Sequence, residues 1–152
     1  MNRTWWIPLA AGLALAALPG VSSETVDSTK EFELEIPVGA NSARSVFLVL
    51  SDVRLPRMAA VVLRARLVEN VAGTVTELPL GSFGLLADSR DAEGVAQHAE
   101  VRIEITKRLR LWREDHLDIG TLRIRVVPYA GVNPLPALKW SVGAARLSVS
   151  GS

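Results

Sequence analysis

Val101-Arg102-Ile103-Glu104-Ile105-Thr106, followed by Leu122-Arg123-Ile124-Arg125-Val126-Val127-Pro128, decides the fold. In both stretches an apolar side chain recurs at every second position and charges fill the gaps. Successive side chains of an extended chain point to opposite faces, so this period marks a strand with one buried face and one wet face. Downstream, Val142-Gly143-Ala144-Ala145-Arg146-Leu147 adds a further strand, and Leu80-Gly81-Ser82-Phe83 precedes the pair. Upstream, Leu63-Arg64-Ala65-Arg66-Leu67 repeats the pattern with arginines outward. Glu31-Phe32-Glu33-Leu34-Glu35-Ile36 alternates strictly, with three glutamates on one side, until Pro37 and Gly39 end it. About seven or eight such strands separated by turn signals predict an all-β chain, an antiparallel β-sandwich with one short helix.

Charge constrains the pairing. Three glutamates on one face repel another acidic strand, whereas opposite charges across a ladder stabilise it by roughly 0.2–1 kcal/mol per pair. The acidic strand is therefore expected beside one of the arginine-bearing strands.

Val46-Phe47-Leu48-Val49-Leu50 departs from the pattern, being apolar on both faces. Such a run belongs to a strand covered on both sides. A loop such as Asn133-Pro134-Leu135-Pro136 is one expected cover. A partner docked on Phe47 and Val49 is the other.

Thr106-Lys107-Arg108-Leu109-Arg110-Leu111-Trp112 reads as a short helix. Thr106 is its expected N-cap, and Leu109 and Trp112 share a face at i,i+3 spacing. Lys107, Arg108, Arg110 and Arg113 form its solvated side. Residues 87–96, rich in Asp, Ser and Gly, read as a mobile loop.

At the N-terminus Arg3 precedes an apolar stretch from Trp5 to Leu18, then Pro19-Gly20 and the small residues Val21-Ser22-Ser23. This is the pattern of a secretory signal peptide over residues 1–23. The apolar stretch is shorter than the roughly 20 residues that span a bilayer, so no stable membrane insertion is expected after cleavage. Residues 24–152 are then a single β-sandwich domain, exported to the periplasm or the cell exterior. Of 17 Lys+Arg, cleavage removes Arg3 and leaves 16 against 16 Asp+Glu. A neutral chain lacks the basic footprint that phosphate backbones require, and nucleic acid is not an expected partner. With no cysteine, the chain has neither disulfides nor thiolate chemistry.

Catalytic sets are missing from the sequence. His98 and His116 are not spaced as a ligand pair, and tight zinc or copper sites converge three or four ligands. Both read as exposed loop histidines. Met58 alone is too little for a soft copper site. Gly81-Ser82-Phe83-Gly84 lacks the spacing of a nucleophile elbow, and Asp115 and Asp118 fall in a turn. The expectation is a chain that is not an enzyme, with no cofactor and no metal.

In their order these segments resemble the C-terminal β-sandwich domain of the tyrosinase and polyphenol oxidase family. The counterparts are Val61–Val68, Gly81-Ser82-Phe83, the loop around Asp88–Gln97, Val101–Trp112, Leu122–Pro128 and Val142–Val149. The histidine-rich copper domain of that family has no counterpart here, so copper oxidation is not carried over. The resemblance implies a stand-alone covering domain that acts on a separately encoded tyrosinase-like copper oxidase. An apolar side chain can plug the entrance of such an enzyme, and Phe83 is the candidate; a place in the core is its alternative. The alternative function is an independent extracellular or periplasmic module, either structural or sugar-binding. Sugar stacking would need exposed aromatics, for which Trp112, Tyr129 and Trp140 are available, Trp140 foremost.

Overall fold

The computed structural model describes residues 28–56, 60–86 and 95–151. In chain order the elements are β1 (Lys30–Glu35), β2 (Ser45–Pro56), β3 (Ala60–Val71), β4 (Thr74–Leu86), β5 (Val95–Glu104), α1 (Thr106–Asp115), β6 (Thr121–Ala130), β7 (Asn133–Pro134) and β8 (Ala144–Ser150). The larger sheet runs β1-β6-β3-β4, with β7 attached to β6. The smaller runs β5-β2-β8. Every pairing is antiparallel. The described residues form an all-β sandwich of eight strands with one short helix, as the alternating segments predict.

The core lies between the two sheets. Leu63, Leu67, Leu122, Ile124 and Val126 line the larger sheet, and Val46, Leu48, Leu50, Val101 and Ile103 the smaller. Leu109 and Trp112 close one end from the buried stripe of α1, as their spacing predicts. Each fully buried Leu, Ile or Val contributes about 1.5–3 kcal/mol through removal from water.

The acidic strand finds its arginines. β1 pairs β6 with Glu31 opposite Arg125 and Glu33 opposite Arg123. Arg123 and Arg125 both donate to the Glu31 carboxylate, Arg123 at 2.7 Å. Arg125 also faces Arg66 across the ladder, a repulsive pair by itself. Glu77 of β4 resolves it by accepting from both, from Arg66 at 2.9 Å. One guanidinium thus links both edges of the sheet.

β3 and β4 form a hairpin closed by Ala72-Gly73, both at positive φ (51° and 84°) between the paired residues Val71 and Thr74. That twist matches the right-handed twist of the strands it joins. Further along, the register slips between Ala65 and Arg66, and Leu80 is the extra residue of the bulge. Beside it Gly81 passes so close to β5 that a Cβ there would lie 2.5 Å from the Glu104 carbonyl oxygen. The two sheets touch at this glycine.

Several expectations are corrected. Thr106 does not cap α1: the N-cap is Ile105, with no side-chain bond. The Thr106 hydroxyl instead accepts from the Val46 N–H at 2.9 Å, tying the helix to β2. Asn133-Pro134 does not cover β2, because it pairs with Tyr129 and Ala130 of β6 in the other sheet. The loop expected over residues 87–96 lies mostly outside the described residues, and Val95 and Ala96 already belong to β5. Residues 1–23 and Met58 also lie outside them.

Candidate functional site

Val49 is completely buried although it faces away from the core. Its register partners are Arg102 on β5 and Arg146 on β8. Arg146 spans β2 to reach Glu100 of β5 at 3.2 Å, and Arg102 bonds the same carboxylate at 2.5 Å along β5. The aliphatic stem of Arg146 thus crosses above the valine while its guanidinium stays wet. Val49 itself is therefore not a free docking surface. Phe47 on the same face is half-buried, opposite Glu104 and Ser148. Phe83 sits on edge strand β4 opposite Leu63, on the inward face of the sheet, yet 37% of it remains exposed. The structure does not bring Phe83 together with Phe47 and Val49, because they lie on different sheets.

The aromatic residues are inside. Trp112, Tyr129 and Trp140 are all buried. Trp140, expected on the surface, donates its indole N–H to the Ser28 carbonyl, 112 residues away in sequence. Tyr129 is flanked by two arginines: its hydroxyl accepts from Arg66 at 2.7 Å, and the Arg64 guanidinium lies 4.1 Å from its ring centre. A flat aromatic platform for sugar stacking is not formed by these three residues.

His116 is not a free loop histidine. It stacks on Trp112 with ring centres 4.5 Å apart, and its Nδ1–H donates to the Trp112 carbonyl at 2.8 Å. Its Nε2 then lies 3.5 Å from Glu69, which also accepts the Trp112 indole N–H. Neither spacing nor strand pattern marks Glu69, which β3 delivers to the helix from 43 residues upstream. His98 is half-buried on β5 opposite Val53. Among the described residues no three His, Cys, Asp or Glu side chains gather to hold a metal ion. Ser82 is exposed opposite Arg64, and Asp118 lines a shallow groove beside Pro37 and Arg113. No helix of the described residues is long and apolar enough to cross a membrane.

The stacked Trp112–His116 pair separates two grooves. One, of about 270 Å³, runs between α1 and β4 and is lined by Leu67, Leu78, Pro79, Leu80, Leu111 and Arg108 among others. The second, about 350 Å³, opens toward Glu33, Val71 and Arg123. A third, about 400 Å³, lies on the outer side of the β4 bulge and is bordered by Arg64, Arg66, Ser82 and Arg108.

Electrostatics is strongest on the outer face of the larger sheet. Hydrogen bonds from Arg125 first and Arg123 second hold the Glu31 carboxyl below its usual range. The reciprocal bond to Glu31, with Glu77 assisting, raises Arg125 further. Glu31, Arg123, Arg125 and Glu77 thus satisfy one another across the sheet.

Comparison with known proteins returns a shared fold. No family model matches the chain, and no curated protein matches it. Among solved structures, 82% of the chain superposes on part of a latent aurone synthase (polyphenol oxidase) from natural source, with a TM-score of 0.54 and 12% identity. The chain spans about a quarter of that protein's length, the matched share being 25%.

Proposed function

We propose that this chain is an exported, non-catalytic accessory domain that covers or assists a separately encoded tyrosinase-like copper oxidase. The observation that carries the reading is the superposition of most of the chain on a quarter of a polyphenol oxidase. The order of strands and the Gly81-Ser82-Phe83 element support it independently. Phe83, on the open edge of β4, is the side chain best placed to meet such a partner, and Phe47 is the second. Val49, fully buried, is not a contact. Export rests on the apolar segment from Trp5 to Leu18 and the small residues that follow it.

Co-expression with a tyrosinase-like oxidase from the same source tests the reading. The tagged chain is expected to retain the oxidase on a column and to change its rate of phenol oxidation. Phe83→Ala should weaken that change while the domain still folds. No co-purification together with an unaltered oxidation rate ends the proposal.

A further inference from the structure

Two of the grooves meet at the β4 bulge. The apolar groove against α1 and the cationic groove on the outer side share Pro79, Leu80 and Arg108. Leu78 and Leu111 in the first are 43% and 50% exposed, side by side with the buried Leu67 and Trp112. Three arginines and no carboxylate border the second, whereas Glu69 and Asp115 are among the residues that line the first. Two of these are held in place: Arg64 by the Tyr129 ring and the Gly131 carbonyl at 3.0 Å, Arg66 by Glu77 and the Tyr129 hydroxyl. Arg108 projects from α1 with neither a hydrogen bond nor an ion pair among the described residues. Positioned arginines beside an exposed apolar surface are the usual anchors of a protein contact.

We infer that this composite groove is a docking site for an extended acidic–apolar segment of a partner protein. The apolar half takes a leucine- or phenylalanine-sized side chain between Leu78 and Leu111. The cationic half pairs a neighbouring carboxylate with Arg108 and Arg64, where charge complementarity sets which segment is accepted. Recognition runs through side chains and not through strand addition. At the bulge the ladder is interrupted, and Pro79 has no N–H to offer an added strand. The inference goes beyond the oxidase reading and does not depend on it, since any partner carrying such a segment would satisfy it.

The test uses the full chain and two blocked, fluorescein-labelled hexapeptides, one alternating leucine with glutamate and one alternating leucine with lysine. Fluorescence polarisation should show saturable binding of the glutamate peptide, weakened by added salt, and none of the lysine peptide. Arg108→Glu is expected to weaken binding about tenfold, a loss of the size produced by reversing one charge at a contact. Leu111→Ser should weaken it several-fold. Both positions are exposed, so circular dichroism should find each variant folded. Equal binding of the two peptides, or no response to Arg108→Glu, overturns the proposal. So does competition by inorganic phosphate with no response to Leu111→Ser, which would leave only a small-oxyanion site.

Discussion

The two sheets treat their outer faces in opposite ways. On the larger sheet the charges are the face: Glu31, Arg123, Arg125, Glu77 and Arg66 form a ladder across its strands. On the smaller sheet the central strand stays apolar outward, and the charges are borrowed from its neighbours to roof it. The same two residue types do different jobs. In the ladder each ion pair is partly exposed and salt-screened, so its value is orientation and pairing choice more than stability. Over Val49 the Arg146 stem excludes water from a buried valine, which is hydrophobic stabilisation delivered by a charged residue.

The sharpest way to break the arrangement is at the point where the sheets meet. Gly81→Val puts a branched side chain against the Glu104 carbonyl and the Ile103 methyl, at 2.5 Å and 2.9 Å for its first atom alone. Urea unfolding should show a loss of about 3 kcal/mol. Gly84→Ala, three residues on with open space around it, should stay within about 0.5 kcal/mol. Similar losses at both sites would mean that the sheets are not in contact at Gly81.

A smaller effect separates the two faces themselves. Val49→Ala should cost about 1–2 kcal/mol, because the valine is buried on the outward side as fully as a core residue. Val127→Ala, at a half-buried outward position of the larger sheet, should cost less than half as much. Equal costs in the same urea titration would show that the arginine roof does not seal its valine.

The smallest effect concerns the ladder. Glu31 is held below its ordinary range in the folded protein, chiefly by Arg125 and then by Arg123. A depressed carboxyl contributes stability above its unfolded pKa, and that contribution is lost as pH falls through the folded value. Glu31→Gln should therefore cost no more than about 1 kcal/mol at neutral pH. In strong acid, below the folded pKa, wild type and variant should converge. A gap that persists there would assign the effect to shape and not to charge.

Much of this was legible in the residues. β1, β3, β6 and the second half of β5 alternate so strictly that their existence and inward faces follow from period alone, and the charges of β1 name its neighbour, whereas Val95 to Glu100 read as the end of a loop. The helix stripe of Leu109 and Trp112 is equally local. What escaped depends on partners distant in the chain. Trp140 looks like a surface residue until Ser28 supplies its acceptor, and Thr106 looks like a cap until the Val46 N–H claims its hydroxyl. Val49 looks like an interface because its cover is made of long polar side chains on strands about 50 and 100 residues downstream. The first half of β4 was hidden by Pro79 and by the unexpected Ala72 in a tight turn, where asparagine or glycine is the common choice. The grooves were out of reach for the same reason: β4 and α1 supply their walls from separate parts of the chain.

The pairing of β2 also sets when the molecule can fold. β3 and β4 are joined by a two-residue turn and zip locally, but β2 has no neighbour close to it in sequence. Ser45 to Ser51 waits for Ala144 to Ser150, the last strand of the sandwich. Closing so long a loop costs entropy that only the finished sheet repays, and folds dominated by such pairings form in milliseconds to seconds. A chain emerging from the ribosome will therefore hold a hairpin long before it holds a sandwich, and its most hydrophobic strand, even once β5 has paired with one edge, keeps the other edge open until β8 arrives.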